Sequence, residues 1–297
     1  MAKGPRSQKN SSAGSPSLWT ISISLMLALS LALLVLLALG IVAVPRSPSL
    51  NSDGAAVSLR LPAMSIVQHS SESEGNMLQV DDKPWVEFIS WEPRAFIYHN
   101  FLSKEECEYL INLAKPRMVK STVVDSATGK SKDSRVRTSS GTFLVRGQDK
   151  IIRNIEKRIA DFTFIPVEQG EGIQILHYEV GQKYEAHYDY FHDKFNTQNG
   201  GQRIATLLMY LSNVDAGGET VFPSAKVNKS SIPNWNELSE CARAGLAVKP
   251  KLGDALLFWS MKPDGTADPS SLHGGCPVIS GNKWSATKWM RVYEYKV

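Results

Sequence analysis

The sequence predicts a mainly β protein of the α+β class, with a double-stranded β-helix (jelly roll) core. Short strand-like runs recur from Glu171 to the C-terminus and are separated by Gly, Pro, Asn and Asp turns, a spacing typical of a sandwich or barrel. Two helical patterns precede these runs, so we expect N-terminal helices to pack against the sheet. A continuous apolar segment near the N-terminus predicts one transmembrane helix before the folded part.

The apolar segment divides the chain into four predicted parts. The four parts are a Ser-, Gly- and Pro-bearing tail at residues 1–17, a signal anchor at residues 18–44, a polar stem at residues 45–84 and a globular domain at residues 85–297. No charged residue occurs from Trp19 to Val44, and about 20 apolar residues suffice to cross a bilayer as a helix. The alternative is a cleaved signal peptide, whose apolar core is normally shorter, at about 7–15 residues.

The charge around this segment predicts its orientation. Lys3, Arg6 and Lys9 precede it and only Arg46 follows closely, and cytoplasmic flanks retain positive charge. The N-terminus is therefore expected in the cytosol and the rest of the chain in the lumen of the endoplasmic reticulum or Golgi, as a single-pass type II membrane protein. Residues 47–297 carry 29 basic and 29 acidic side chains, so charge gives no support to nucleic-acid binding.

Local patterns predict the elements of the folded part. Strand-like runs open it at residues 85–91 and 95–99, and Ser103 with Glu106 fits a capping box at the start of a helix. A second helix is expected over residues 149–162. Residues 119–137 are polar, and we interpret them as a lid or a disordered loop. The later predicted strands cover residues 173–180, 183–190, 204–212, 220–222, 246–248, 255–259, 277–279 and 289–295.

Three cysteines follow the apolar segment, namely Cys107, Cys241 and Cys276. An oxidising lumen allows one disulfide among them, and the sequence does not choose the pair. For Cys276, a role near a metal and a small buried residue in a turn are both open readings. Asn228 begins the sequon Asn-Lys-Ser, which predicts a glycosylated surface loop in the lumen.

Two potential metal ligands lie two residues apart in the strand predicted over residues 183–190. Side chains at such spacing project from one face of a strand, so His187 and Asp189 are expected to point into one space. His273 lies in a later block bounded by Gly and Pro. Two histidines and one carboxylate on one face of a metal are typical of non-haem Fe(II) oxygenases. His187 and Asp189 alone are more typical of a polar strand surface than of a metal site; the addition of His273, with Lys283 ten residues further on, favours a metal centre.

Lys283 lies ten residues after His273 and can offer an ammonium group to the far carboxylate of a dicarboxylic co-substrate. If Lys283 points inward, an anion is expected beside it, because an unpaired buried charge is costly. Spacing alone equally allows a surface lysine between Asn282 and Trp284.

Several sequence blocks accompany these residues. They are RTSSG at 137–141, EGIQILHY at 171–178, YEAHYDYFHD at 184–193, GGETVFP at 217–223, GDALLFW at 253–259 and HGGCPVISGNKWSATKW at 273–289. Taken together, the blocks resemble the prolyl 4-hydroxylases among the Fe(II)/2-oxoglutarate dioxygenases, and most closely the membrane-anchored plant type. The resemblance extends from about Trp85 to the C-terminus.

The resemblance implies a set of cofactors and ligands. Fe(II) is expected on His187, Asp189 and His273, with 2-oxoglutarate and O2 as co-substrates and ascorbate as the reductant of iron that oxidises in uncoupled turnover. Lys283 is expected to pair with the 5-carboxylate of 2-oxoglutarate. Further residues implied in this cofactor pocket are Tyr178, Thr220 and Trp289.

The resemblance also implies a substrate and a reaction of the procollagen-proline 4-dioxygenase type. Peptidyl-proline in secreted proline-rich proteins would be hydroxylated to 4-hydroxyproline while 2-oxoglutarate is decarboxylated to succinate and CO2. Positions that match the substrate groove of the family are Arg137, Ser139, Glu171, Tyr184, Arg203 and Trp289.

Two other functions remain open at the level of sequence. One is the same chemistry on another residue type or on a small molecule, and the other is a non-catalytic lumenal jelly roll that binds peptide or carbohydrate. Intact ligands and an intact lysine favour catalysis over the second. The sequence does not indicate whether the chain works alone or as a homo- or hetero-oligomer.

Overall fold

Antiparallel strands make up most of the folded part of the chain. The computed structural model describes residues 83–124, 131–132, 135–226 and 235–297. All of these residues belong to one compact unit of the chain. In chain order, the strands are β1 (Trp85–Trp91), β2 (Arg94–His99), β3 (Val119–Lys120), β4 (Val123–Val124), β5 (Ser131–Lys132), β6 (Ser140–Leu144), β7 (Gly170–Tyr178), β8 (Tyr184–His187), β9 (Arg203–Tyr210), β10 (Ala216–Gly217), β11 (Thr220–Phe222), β12 (Leu246–Val248), β13 (Ala255–Trp259), β14 (His273–Gly275), β15 (Val278–Ser280) and β16 (Lys283–Arg291).

Two sheets dominate the arrangement. The larger has eight strands in the order β1-β2-β13-β9-β16-β7-β6-β3, and the smaller has four in the order β12-β11-β14-β8. Neighbouring strands far apart in sequence pair antiparallel, as β16 does with both β7 and β9. The mainly β fold with antiparallel sheets agrees with the jelly-roll prediction.

Two helices follow the capping signals in the sequence. Helix α1 (Lys104–Ala114) has the complete capping box, because Ser103 accepts from the Glu106 backbone and Glu106 accepts in return. Helix α2 (Lys150–Thr163) starts after Asp149, whose carboxylate accepts from the Ile152 backbone. Both helices bury one apolar face in the main core, so both helix predictions are confirmed.

Alternation along β7 separates the helix side of the large sheet from the side that holds the site. Ile173 and Ile175 are fully buried in the core shared with both helices. Side chains of a strand alternate between faces, so Gln174, Leu176 and Tyr178 face the opposite way. Leu176 and Tyr178 accordingly pack in a separate cluster.

A buried ion pair connects the helix layer to the centre of the sheet. Lys288 of β16 donates from Nζ to Oε1 of Glu156 in α2 at 2.6 Å, and both side chains are almost fully buried. The second carboxylate oxygen of Glu156 accepts from the Gly147 backbone at 2.8 Å. Because Lys288 faces α2, Thr287 and Trp289 on either side of it face away from the helices.

The predicted last strand is wrong in its position. It was expected at residues 289–295, but β16 begins at Lys283 and ends at Arg291. The predicted polar lid at residues 119–137 contains the paired strands β4 and β5 and the edge strand β3, so its described part has regular backbone pairing. Whether this segment closes over substrate stays a prediction.

Some predictions fall outside the described residues. These are the tail, the anchor at residues 18–44, nearly all of the stem and the sequon at Asn228. Among the helices of the described part, none combines the length and apolar character needed to cross a bilayer.

The three cysteines separate into one disulfide and one thiol. Cys241 is bonded to Cys276, and Cys107 is a buried thiol in α1 whose pKa burial raises to about 12. The disulfide attaches the short helical turn at Ala242–Ala244 to the residue that follows β14.

Candidate metal centre and co-substrate cavity

Strand pairing in the small sheet places two histidines next to each other. His187 ends β8 and His273 begins β14, and the two residues are direct partners in the antiparallel register. Asp189 lies two residues beyond His187 and is buried. One potential ligand atom from each of the three lies within 4.8 Å of the others. The structure therefore brings together the three ligands predicted from the sequence.

Backbone carbonyls hold both imidazoles in one orientation. Nδ1 of His187 lies 2.8 Å from the Glu185 carbonyl oxygen, and Nδ1 of His273 lies 2.9 Å from the Ser271 carbonyl oxygen. A carbonyl oxygen only accepts, so each Nδ1 carries the proton and each Nε2 keeps a free lone pair. The Nε2 atoms lie 3.7 Å and 3.6 Å from the Asp189 carboxylate, which is the side where a metal would bind.

The electrostatic surroundings give the charge states that metal binding requires. Burial and the neighbouring His273 lower the pKa of His187 to about 3. Burial raises the pKa of Asp189, but the adjacent imidazoles outweigh that effect and the pKa falls to about 2. At neutral pH the centre therefore contains a neutral His187 and an ionised Asp189.

A hydroxyl group fixes the carboxylate of this centre. Thr206 of β9 donates from Oγ1 to Oδ2 of Asp189 at 2.6 Å, and Thr206 itself is buried. A partner that orients a ligand is a common feature of metal sites. The sequence analysis missed Thr206. Its place in the apolar run IATLLMY of β9 is a signal, because a hydroxyl group buried in such a strand needs a partner.

One cavity adjoins the three ligands and extends to Lys283. Its wall comes from both sheets and includes Arg137, Leu176, Tyr178, Tyr184, His187, Asp189, Thr206, Leu208, Thr220, Phe258, His273, Gly274, Gly275, Lys283, Ser285, Thr287 and Trp289. Lys283, Ser285, Thr287 and Trp289 alternate along β16, so a single strand supplies four of these residues.

The ammonium group of Lys283 is buried and has a backbone carbonyl as its hydrogen-bond partner. Its side chain is 3% exposed, and Nζ donates to the Gly218 carbonyl oxygen at 2.7 Å. Among the described residues, no carboxylate lies within ion-pair distance of Nζ. Burial lowers the pKa of Lys283 to about 8, and the charge of Glu219 opposes this shift. A buried cation with unused donors fits an anionic ligand.

Polar groups near Lys283 can add to such a ligand site. Thr220 lines the cavity and accepts at Oγ1 from the Tyr210 hydroxyl at 2.9 Å. The ring centroid of Tyr178 lies 5.5 Å from Nζ of Lys283. The Ser285 hydroxyl is buried and has no hydrogen-bond partner in the described part of the chain. Ser285 was missed by sequence analysis, and its alternation with Lys283 along β16 is the signal that identifies it.

Three of the six predicted substrate residues lie in the cavity wall. Arg137 donates from Nη2 to Gln174 at 2.9 Å, and its guanidinium lies over the ring of Tyr184 at 4.6 Å. Tyr184 stacks on His187 with 3.6 Å between ring centroids. Trp289 is buried, and its indole Nε1 has no hydrogen-bond partner among the described residues.

The other three predicted substrate residues lie outside that wall. Glu171 accepts from Nε and Nη2 of Arg203, at 2.7 and 2.9 Å, and also from Nε of Arg291 at 2.6 Å. Arg203 in turn covers the ring of Trp289 at 3.8 Å. Ser139 is buried and donates to the Ser121 hydroxyl at 3.0 Å. Glu171 thus holds Arg203 against the ring of Trp289, which is part of the cavity wall.

Comparison with known proteins decides the family. Residues 173–291 match the family model of the 2OG-Fe(II) oxygenase superfamily. Over 260 residues the chain is 68% identical to "Probable prolyl 4-hydroxylase 10" of Arabidopsis thaliana, which covers 88% of each chain. The chain belongs to the prolyl 4-hydroxylase family of 2OG-Fe(II) oxygenases. It is also 69% identical over 232 residues to "Prolyl 4-hydroxylase 5" of the same plant, covering 78% of this chain and 79% of that protein.

A solved structure with similarity to the chain is the viral collagen prolyl hydroxylase of Paramecium Bursaria Chlorella virus-1 in complex with 2OG. It is 29% identical, covers 71% of this chain and 98% of that chain, and has a TM-score of 0.47.

The family uses Fe(II), 2-oxoglutarate and O2, and the residues present fit these groups. Two histidines with free Nε2 lone pairs and one ionised carboxylate suit Fe(II). The uncompensated ammonium of Lys283 suits a carboxylate of 2-oxoglutarate at the other end of the same cavity.

We expect the affinity for 2-oxoglutarate to depend on the protonation of Lys283. Below pH 8 the ammonium is present before binding. Above its pKa of about 8, binding of the dianion requires proton uptake, so Kd should rise by up to about tenfold per pH unit. Lys283→Ala should remove the pH dependence and raise Kd roughly 30- to 150-fold, because charged hydrogen bonds contribute about 2–3 kcal/mol.

Anaerobic calorimetric titration of the Fe(II) protein with 2-oxoglutarate from pH 7 to pH 10 measures this effect. Lys283→Arg is the control, because its guanidinium stays charged over the whole range. A flat Kd for the unsubstituted protein, or an unchanged Kd in Lys283→Ala, would contradict the assignment.

Proposed function

We propose that the chain hydroxylates peptidyl-proline to 4-hydroxyproline in secreted proline-rich proteins. The reaction is coupled to oxidative decarboxylation of 2-oxoglutarate to succinate and CO2. The convergence of His187, Asp189 and His273 on one cavity with Lys283 carries this proposal. It is supported by the high identity to plant proteins named prolyl 4-hydroxylases.

In this proposal, His187, Asp189 and His273 would hold Fe(II). When bound, Fe(II) supplies the redox chemistry that couples O2 to decarboxylation of 2-oxoglutarate and to oxidation of a C–H bond. The Glu185 and Ser271 carbonyls keep both imidazoles turned toward the metal, and Thr206 fixes Asp189. With only three protein ligands, coordination positions remain for the co-substrates.

Lys283 orients 2-oxoglutarate by binding its 5-carboxylate at the end of the cavity away from the metal. Tyr178 and Thr220 offer hydroxyl groups beside Nζ, and Trp289 closes the side of the pocket. The apolar Leu176, Leu208 and Phe258 in the wall help to exclude water. Ascorbate is proposed as the reductant that restores Fe(II) after uncoupled turnover.

Proline-rich peptides adopt an extended polyproline II helix whose carbonyl groups are free. Recognition of such a helix uses aromatic faces and hydrogen-bond donors. Tyr184, Trp289 and Arg137 provide both at the cavity wall. Glu171, Arg203 and Ser139 are proposed to act on the same groove, with Glu171 and Arg203 positioned through their mutual ion pair.

Incubation of the purified protein with Fe(II), 2-oxoglutarate, ascorbate and poly-L-proline tests the proposal. Mass analysis should show a gain of one oxygen per modified proline, with an equal amount of succinate released. Asp189→Asn, which keeps the size of the side chain and removes a charged ligand, should abolish turnover.

Other outcomes favour other functions. Proline-free peptides or small molecules that react as fast as poly-L-proline would indicate a hydroxylase with another substrate. Failure of the unsubstituted protein to bind Fe(II) would indicate a non-catalytic jelly roll that binds peptide or carbohydrate.

The proposed location is the lumen of the endoplasmic reticulum or Golgi. The uncharged run from Trp19 to Val44 supports a signal anchor, and the basic residues before it support a type II orientation. The Cys241–Cys276 disulfide agrees with an oxidising compartment. In this arrangement residues 45–84 connect the anchor to the catalytic domain at residues 85–297.

Expression of the full chain in plant cells tests the location. The protein should stay in the membrane fraction after alkaline carbonate extraction, and endoglycosidase should increase its gel mobility. Asn228→Gln should remove the mobility change, because Asn228 is the proposed lumenal glycosylation site. Release by carbonate would indicate a cleaved signal peptide, and an unglycosylated, protease-exposed domain would contradict the type II orientation.

A further inference from the structure

Phe143 of β6 lies in the same cross-strand row as residues of the cavity wall. It is the direct partner of Gln174 in β7, Gln174 is the partner of Thr287 in β16, and Thr287 is the partner of Leu208 in β9. Directly opposed residues of a sheet lie on the same face. Thr287 and Leu208 line the cavity, so the row extends from the cavity wall outward to Phe143.

The ring of Phe143 is exposed to solvent although its strand does not lie at an edge of the sheet. Its side chain is 52% exposed, whereas β6 is paired with β3 on one side and β7 on the other. Leu144 next to it is fully buried on the helix side. The exposure of Phe143 thus arises from the face it occupies and not from an unpaired edge.

An exposed aromatic residue alone is common on protein surfaces. Phe143 differs because it continues the wall of a site: its ring centroid is 6.4 Å from that of Trp289. Val119, which pairs with Gly141 on the same face, is also exposed. We call Phe143 and Val119, together with Trp289, the rim strip.

Unpartnered donors beside the rim strip indicate that a ligand with acceptor groups belongs there. Nε1 of Trp289 and Nε of Arg137 are buried and have no hydrogen-bond partner within the described residues, and the two side chains are only 7% and 6% exposed. Buried donors are normally satisfied, so these point to a partner that the described part of the chain does not supply. Peptide carbonyl groups are acceptors of the required kind.

We infer that Phe143 is a specificity-determining residue that stacks on a second prolyl ring of the peptide, outside the cavity that receives the target proline. This inference rests on the proposed function. A polyproline II helix rises about 9 Å per turn of three residues, so one peptide spans both Trp289 and Phe143. The carbonyl groups between the two prolines face the donors of Trp289 and Arg137. The enzyme therefore selects peptides that carry a second proline about one polyproline II turn away from the target proline. Peptides with an isolated proline are disfavoured.

The test compares two variants in the full-length protein. Phe143→Ala should raise the Kd of a fluorescent poly-L-proline peptide of about ten residues roughly tenfold in the anaerobic Fe(II)–2-oxoglutarate complex. In turnover assays, KM for that peptide should rise more than kcat falls. Phe88→Ala is the matched control, because Phe88 is a similarly exposed phenylalanine on β1, at the far edge of the large sheet.

Further measurements separate recognition from structural damage. Phe143→Trp should restore the peptide affinity, because it returns a flat aromatic face. A peptide with a single proline among alanines should bind Phe143→Ala and the unsubstituted protein within about twofold of each other. An equal loss of 2-oxoglutarate affinity in Phe143→Ala would show a structural effect and overturn the inference.

The failure of this inference is distinguishable from the failure of the proposed function. If the unsubstituted protein hydroxylates poly-L-proline while Phe143→Ala binds it as tightly as Phe88→Ala, the role of Phe143 is overturned alone. If the unsubstituted protein hydroxylates no proline peptide, the proposed function and this inference are both overturned.

Discussion

The antiparallel pairing of β8 with β14 is the constraint on which the site depends. It sets His187 opposite His273, and the turn after β8 then places Asp189 against both Nε2 atoms. A shift of this register by one residue would turn one imidazole to the other face of the small sheet. The carbonyls of Glu185 and Ser271 belong to the same two segments as the histidines, so the pairing also sets the orientation of both rings.

The large sheet supplies the other half of the cavity, and its support is rigid. β16 lies between β7 and β9, and its buried Lys288, on the helix side of the sheet, is held to α2 by the ion pair with Glu156. Lys283 is therefore presented from a central strand toward the small sheet. The small sheet is fastened in turn by the Cys241–Cys276 disulfide and by Glu219, which accepts from the backbone and hydroxyl of Ser239.

Sequence reasoning predicted the ligands because their spacing is local or their block is distinctive. It could not derive which residue His273 pairs with, since a register between segments so far apart depends on the whole sheet. It misplaced β16 because the alternation of polar and apolar residues that begins at Lys283 breaks at Lys288, a charged side chain on the core side whose partner is the distant Glu156. The ion-pair partners of Glu171 and the pairing of the cysteines could not be predicted either, because contacts between residues far apart in sequence leave no local pattern.

Anaerobic titration of the purified protein with Fe(II) in the presence of 2-oxoglutarate tests the central claim most directly. The account predicts a visible charge-transfer absorption that saturates at one Fe(II) per chain and needs both components. His273→Ala should abolish this absorption, because His273 is one of the three potential ligands and the only one on β14. An absorption that is absent from the unsubstituted protein, or unchanged in His273→Ala, would contradict the convergence of these side chains on one iron.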